Sequence, residues 1–213
     1  MSERIALIDY GSGNLHSAHQ ALERAAREAG VDAVIELTDR PDLAGRADRI
    51  VLPGVGSFGG CAAGLRACDG MVEALEKRVL QDGVPFLGIC VGAQLMAQEG
   101  FELGRYAGLG WLQGTVEAID VACTGLKVPH MGWNTLRAHT SHPVLAGVAT
   151  PDQATGASVY FVHSFHVKPS APDLIATATY GHAVNAVIGR ENMIGTQFHP
   201  EKSQRAGLRL LAN

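Results

Sequence analysis

Short apolar runs alternate with stretches of helical periodicity through the first half of the chain, and this alternation constrains the fold more than any other feature. Runs at 4–9, 32–37, 48–52 and 85–89 read as strands. Between them, residues 15–29 carry apolar side chains at helical spacing with Gly30 as a stop. A second helical stretch covers 60–81 and a third begins at Val91. Strands joined through helices predict a parallel sheet covered on both faces. In such sheets functional residues gather at the carboxyl ends of the strands. After residue 110 the pattern changes. Runs at 114–121, 135–138, 158–166, 174–180, 183–189 and 193–197 follow one another through short turns, which predicts an antiparallel extension of the same sheet. The expected fold class is α/β, a three-layer sandwich with a mostly parallel central sheet and an antiparallel extension. No repeat, low-complexity tract or linker interrupts the chain, so a single domain over 1–213 is expected.

Composition removes several function classes. With 213 residues, 46% hydrophobic and 18% charged, the chain can bury a substantial core and does not resemble a disordered one. A formal charge of -4, with no block of like charges, offers no general attraction for nucleic acid or an anionic membrane. The apolar segment Ile5-Ala6-Leu7-Ile8 is too short for a signal peptide, and nothing reaches membrane-spanning length. Cytoplasmic residence is therefore expected. The four cysteines form neither a CxxC metal pair nor a dense disulfide framework. Cys61 and Cys68 read as small apolar fillers on a helix, and Cys123 has no identifiable partner.

Cys90 is different. Gly88-Ile89-Cys90-Val91-Gly92 has the G-x-nucleophile-x-G spacing of a strand-to-helix elbow, in which the flanking residues must be tiny for the chain to fold past itself. The helix that starts at Val91 would point free N–H groups at the sulfur and favour the attacking thiolate. Such a nucleophile needs a proton shuttle, and nine histidines are available. His16 and His19 read as a solvated helix face. His163 and His166 lie near a strand end and could line a site. His199 is the strongest candidate, because the run 193–197 leads directly into Phe198-His199-Pro200-Glu201. Residues two apart on an extended segment project to the same side, so Glu201 can orient the imidazole in a nucleophile–base–orienter triad. Attack on a carbonyl also needs oxyanion donors. The N–H of Val91 supplies one, and the glycine-rich loop Pro53-Gly54-Val55-Gly56 is expected to bring another from Val55 or Gly56.

Taken together, GICVGAQ, LPGVGSFG and QFHPEKS resemble the class I (triad) glutamine amidotransferases. Within that family DYGSGNL, PHMGWN and YFVHS are similar to the glutaminase subunits of imidazole glycerol phosphate synthases, and the match runs in order from residue 5 to about 205. The resemblance implies the class I glutamine amidotransferase fold and hydrolysis of L-glutamine to glutamate and ammonia through a thioester on Cys90. It makes His199 the general base and then acid, and Glu201 the orienting carboxylate. Gln94 would hold the substrate, with Gly56, His163 and Ser164 gripping its amino-acid end. No cofactor and no metal is implied, and the early GSGN lacks the third glycine of a dinucleotide fingerprint because His16 stands there. The partner implied is a (βα)8-barrel cyclase subunit that receives the ammonia in histidine biosynthesis, forming a heterodimer. Tyr10, Asn14, Met131, Trp133 and Asn134 are the expected interface residues. One departure is notable. Phe165 stands where the family commonly has tyrosine, so a substrate contact there would have to use backbone. Two rival readings stay open: the glutaminase subunit of another ammonia-channelling synthase, and a free cysteine hydrolase of γ-glutamyl substrates.

Overall fold

The structure is a computed structural model and describes residues 2–213. The first half forms β1 (Glu3–Ile8), α1 (Leu15–Ala29), β2 (Ala33–Thr38), α2 (Pro41–Ala44), β3 (Arg49–Gly54), α3 (Phe58–Ala67), α4 (Met71–Glu76), β4 (Phe86–Cys90) and α5 (Val91–Gln94). There follow β5 (Ala97–Gly100), β6 (Tyr106–Ala107), β7 (Leu112–Ala118), β8 (His130–Thr135) and β9 (Arg137–Ala138). The chain ends with β10 (Ser158–His163), β11 (Phe165–Pro169), β12 (Leu174–Tyr180), β13 (His182–Arg190), β14 (Met193–Thr196) and α6 (Gln204–Ala212).

An eight-stranded sheet has the order β2-β1-β3-β4-β14-β13-β12-β9. Its pairings are parallel from β2 through β14 and antiparallel from β14 to β9. The α/β class, the parallel core and an antiparallel extension are as expected, but the run 193–197 enters the sheet as β14, parallel to β4, and the run 114–121 lies as β7 in a separate sheet. Ile5 to Ile8 and Ile50 to Leu52 are buried without alternation, as strands covered on both faces must be. Helix α1 packs on α6, and α2 and α3 pack on α4. Leu87 of β4 touches both buried apolar clusters of the chain and joins them.

Several elements differ from the expectation. The run 158–166 is two strands rather than one. Val159, Phe161 and His163 are buried in β10, but the next buried residue is His166, so the two-residue phase slips at Ser164. Consequently β10 pairs with β8 in a separate two-stranded ribbon, while β11 joins a four-stranded sheet ordered β11-β7-β5-β6. The helical stretch 60–81 is also divided. Gly70 sits in the left-handed region at φ 74°, between α3 and α4, where a side chain would be strained.

Candidate active site

The geometry begins with the elbow. Cys90 ends β4 at φ 55° and ψ -111°, a conformation that costs a non-glycine residue roughly 1–3 kcal/mol. Close packing of the neighbouring chain enforces it. A β-carbon on Gly92 would overlap the carbonyl oxygen of Leu52 in β3, and one on Gly88 would lie 2.7 Å from Ala93 Cα. The helix expected from Val91 is the single turn α5, so any dipole at the sulfur is that of one turn. Cys90 is buried and lines a cavity of about 300 Å³.

His199 arrives because β14 lies directly beside β4. Thr196 is in register with Ile89, so the chain leaving β14 passes over the end of β4. His199 is extended (φ -98°, ψ 97°), as a following proline favours. Pro200–Lys202 then closes a 3₁₀ turn. That turn, rather than a continued extended segment, carries Glu201 back to the ring, and His199 Nδ1 lies 2.8 Å from Glu201 Oε1. A carboxylate only accepts, so Nδ1 carries the proton and a neutral ring leaves Nε2 as an acceptor. Nε2 is buried without a hydrogen-bond partner, and its ring lines the same cavity as the Cys90 thiol. Burial opposes a charge on this ring, but Cys90 and Glu201 outweigh it and push its pKa up to about 9.

On the other side of β4, Gly54 is the register partner of Cys90, which places the loop after β3 at the cavity. Val55 N–H donates to Ser12 Oγ at 3.1 Å, and the Ser12 hydroxyl donates to the Val55 carbonyl at 2.6 Å. The Val55 amide is thus directed at Ser12. Val91, whose N–H opens α5 without an intrahelical acceptor, and Gly56 both line the cavity. Gln94, His163 and Ser164 line it as well.

The chain matches the family model described as "Glutamine amidotransferase class-I" over residues 6–213. The chain belongs to the class-I glutamine amidotransferase family. The Rhodospirillum rubrum protein named "Imidazole glycerol phosphate synthase subunit HisH" is 58% identical over 212 residues, covering 99% of this chain and 97% of that protein. The protein of the same name from Agrobacterium fabrum is 54% identical over 211 residues, 99% of this chain and 97% of its own length. Among solved structures, one described as a glutamine amidotransferase superposes with a TM-score of 0.68 at 17% identity, covering 98% of this chain and 99% of its own. A glutamine amidotransferase from Thermotoga maritima gives 0.62 at 17% identity, covering 98% of this chain and 80% of its own. Those two likenesses speak to fold alone.

In this amidotransferase chain a polar layer backs the cavity. His163 Nδ1 is 2.9 Å from the Phe165 carbonyl, which can only accept, so Nδ1 is the donor. Burial drives the His163 pKa down to about 3, and the ring stays neutral with Nε2 free to accept. His130 Nδ1 donates to it at 3.0 Å, and Asn134 Nδ2 in turn donates to His130 Nε2 at 3.2 Å. The Phe165 carbonyl also takes Gln94 Nε2 at 3.0 Å. Phe165 has no hydroxyl, and its backbone carbonyl is shared by the Gln94 and His163 side chains.

Two residues escaped the sequence reading. Glu102 lines the cavity from the segment between β5 and β6, where nothing in its neighbours marks it out. Gln197 contacts Cys90; its place two residues before His199, at the end of an apolar strand, was the available signal. The residues expected at a partner interface divide. Met131 and Trp133 of β8 are 62% and 49% exposed. Asn14 and Asn134 are half-buried, the latter donating to the Thr179 carbonyl. Tyr10 is buried with its ring turned into the core, where burial pushes its phenol pKa up.

Proposed function

We propose that this chain is the glutaminase subunit of imidazole glycerol phosphate synthase, hydrolysing L-glutamine to glutamate and ammonia for a cyclase partner in histidine biosynthesis. One domain over 1–213 does this, in keeping with a family match over nearly that span. The reading is carried by one observation: a buried His199–Glu201 pair beside a cysteine strained onto an elbow, both at the carboxyl ends of adjacent parallel strands. The identity to the HisH proteins supports the narrower assignment.

The chemistry proceeds through a thioester intermediate that forms from the carboxamide and is then hydrolysed. The Cys90 proton passes to His199 Nε2, and the thiolate attacks the side-chain carboxamide carbon of glutamine. Val91 N–H, with Val55 or Gly56, receives the oxyanion. The C–N bond breaks as His199 returns its proton to the leaving amine, which departs as ammonia. Water, deprotonated by the same imidazole, then cleaves the thioester to glutamate. Gln94 holds the substrate, while Gly56, His163 and Ser164 grip its amino-acid end and Glu102 faces its ammonium. Glu201 fixes the tautomer throughout.

The Val55 N–H is engaged with Ser12, so the isolated subunit rests with that donor turned away. Liganded cyclase, a (βα)8 barrel, would release it and receive the ammonia directly. Met131 and Trp133 supply apolar anchors for the heterodimer, with Asn14 and Asn134 at its edge. No helix among the described residues is long and apolar enough to cross a membrane, and we infer cytoplasmic residence. Glutamate release, assayed with and without the cyclase and its ligand, tests the assignment. Strong stimulation by the liganded partner is expected; equal turnover alone and in complex would instead favour a free γ-glutamyl hydrolase.

A further inference from the structure

Building on the glutaminase reading, we propose that Gln197 is a further catalytic residue, whose carboxamide N–H is a fixed hydrogen-bond donor to the Cys90 sulfur. Its orientation follows from a chain of obligatory donors and acceptors. The Phe165 carbonyl can only accept, so the Gln94 carboxamide must turn its NH2 group toward it, at 3.0 Å. The second proton of that NH2 goes to Gln197 Oε1, also at 3.0 Å. With its oxygen taken, Gln197 presents Nε2 to Cys90 Sγ at 3.6 Å, a reach that the larger sulfur atom permits. Turning over the Gln197 amide would set two NH2 groups against each other. Gln94 and Gln197 are 3% and 4% exposed, so water cannot repair such a mismatch.

The layer is pinned from both ends. His163 Nδ1 holds the Phe165 carbonyl from its other side, and Gln197 N–H bonds the Ala186 carbonyl of β13 at 2.9 Å. The sulfur therefore stands between two nitrogens of different duty. His199 Nε2 takes its proton, and Gln197 Nε2 can only donate. When the proton leaves, the N–H···S bond becomes charge-assisted and strengthens as the negative charge appears. A donor already in place costs no reorganisation at that moment. With only one turn of helix at the elbow, a local donor of this kind is the more direct source of thiolate stabilisation.

The test uses the full-length chain and iodoacetamide at neutral pH, with alkylation followed peptide by peptide in a mass spectrometer. Exposed Cys123 serves as the internal reference. Gln197→Met, which keeps the bulk and removes the donor, should slow alkylation of Cys90 about tenfold, the worth of one hydrogen bond to a charged group. Gln197→Glu, which sets an anionic oxygen against the sulfur, should slow it further. Cys123 should react unchanged in both. Wild-type rates at Cys90 in both variants would overturn the assignment. A second measurement needs no change at Gln197. The side-chain amide resonances of Gln197 should move when Cys90 is replaced by Ala, and resonances that stay put would equally overturn it. Neither readout requires glutamine or a cyclase. Slowed alkylation without any glutamate release would sink the glutaminase reading alone, and unchanged alkylation with full turnover would sink the donor alone.

Discussion

His199 keeps a charge available in a place that disfavours charge. Its side chain and that of Glu201 are each 2% exposed, yet its pKa is pushed up to about 9, because the burial penalty is outweighed by Cys90 and Glu201. The folded-state pKa thus lies above the unfolded value near 6.5. Its contribution to stability is fully present below about 6.5, declines as pH rises toward about 9, and is lost above that. Replacing Glu201 by Gln should flatten this dependence, with a difference of ~1–3 kcal/mol between wild type and variant across the window. Urea unfolding at a series of pH values measures it, and parallel curves would rule the carboxylate out as a cause. The same variant should lose about ten- to a hundredfold in glutamate release, since a charge-assisted bond is exchanged for a neutral one.

Three neighbouring strands act as one unit at the scale of elements. β3, β4 and β14 lie side by side in parallel, and each delivers one part of the site at its carboxyl end: the Val55–Gly56 loop, Cys90 and His199. The elbow works only if β4 turns against β3 with nothing between them. Gly92→Ala would drive a β-carbon into the Leu52 carbonyl oxygen, which is backbone and cannot rotate aside. We expect a loss of about 3 kcal/mol or more in unfolding free energy, at the upper end for overpacking. Ala in place of the helical Gly64 or exposed Gly83 would not test the same contact. A denaturant midpoint unchanged by Gly92→Ala would show that β3 and β4 are not so tightly apposed.

At the scale of the whole molecule, the cavity opens beside a surface that is apolar for an exposed one. Met131, Trp133 and Val128 are 62%, 49% and 46% exposed, and Pro129 between them lines the cavity itself. Exposed apolar groups around a site mark a docking face. An aromatic anchor there should dominate the binding energy, so Trp133→Ala should weaken the cyclase complex by about 2 kcal/mol, about thirtyfold in Kd. Titration calorimetry with the purified cyclase measures this, and an unaltered Kd would move the interface off β8. The tie from Asn134 through His130 to His163 links that face by hydrogen bonds to the cavity wall.

Sequence alone determined the α/β class, the elbow at Cys90 and the pairing of His199 with Glu201, because each rests on local periodicity or on neighbours a few residues apart. It could even place both motifs at one sheet edge, since ligand sites in parallel sheets collect at strand ends. Where local pattern was silent, tertiary structure decided. The slip at Ser164 changes no residue type, and only the partners β8 and β7 reveal that one apolar run serves two sheets. Gln197 and Glu102 show the same limit. A polar residue in an apolar run has no visible partner in one dimension, and only packing brings a carboxamide from just beyond β14 against a sulfur from β4. The direction of the Val55 amide was equally beyond the sequence, because glycine neighbours permit both orientations and the hydroxyl of Ser12, distant along the chain, selects one.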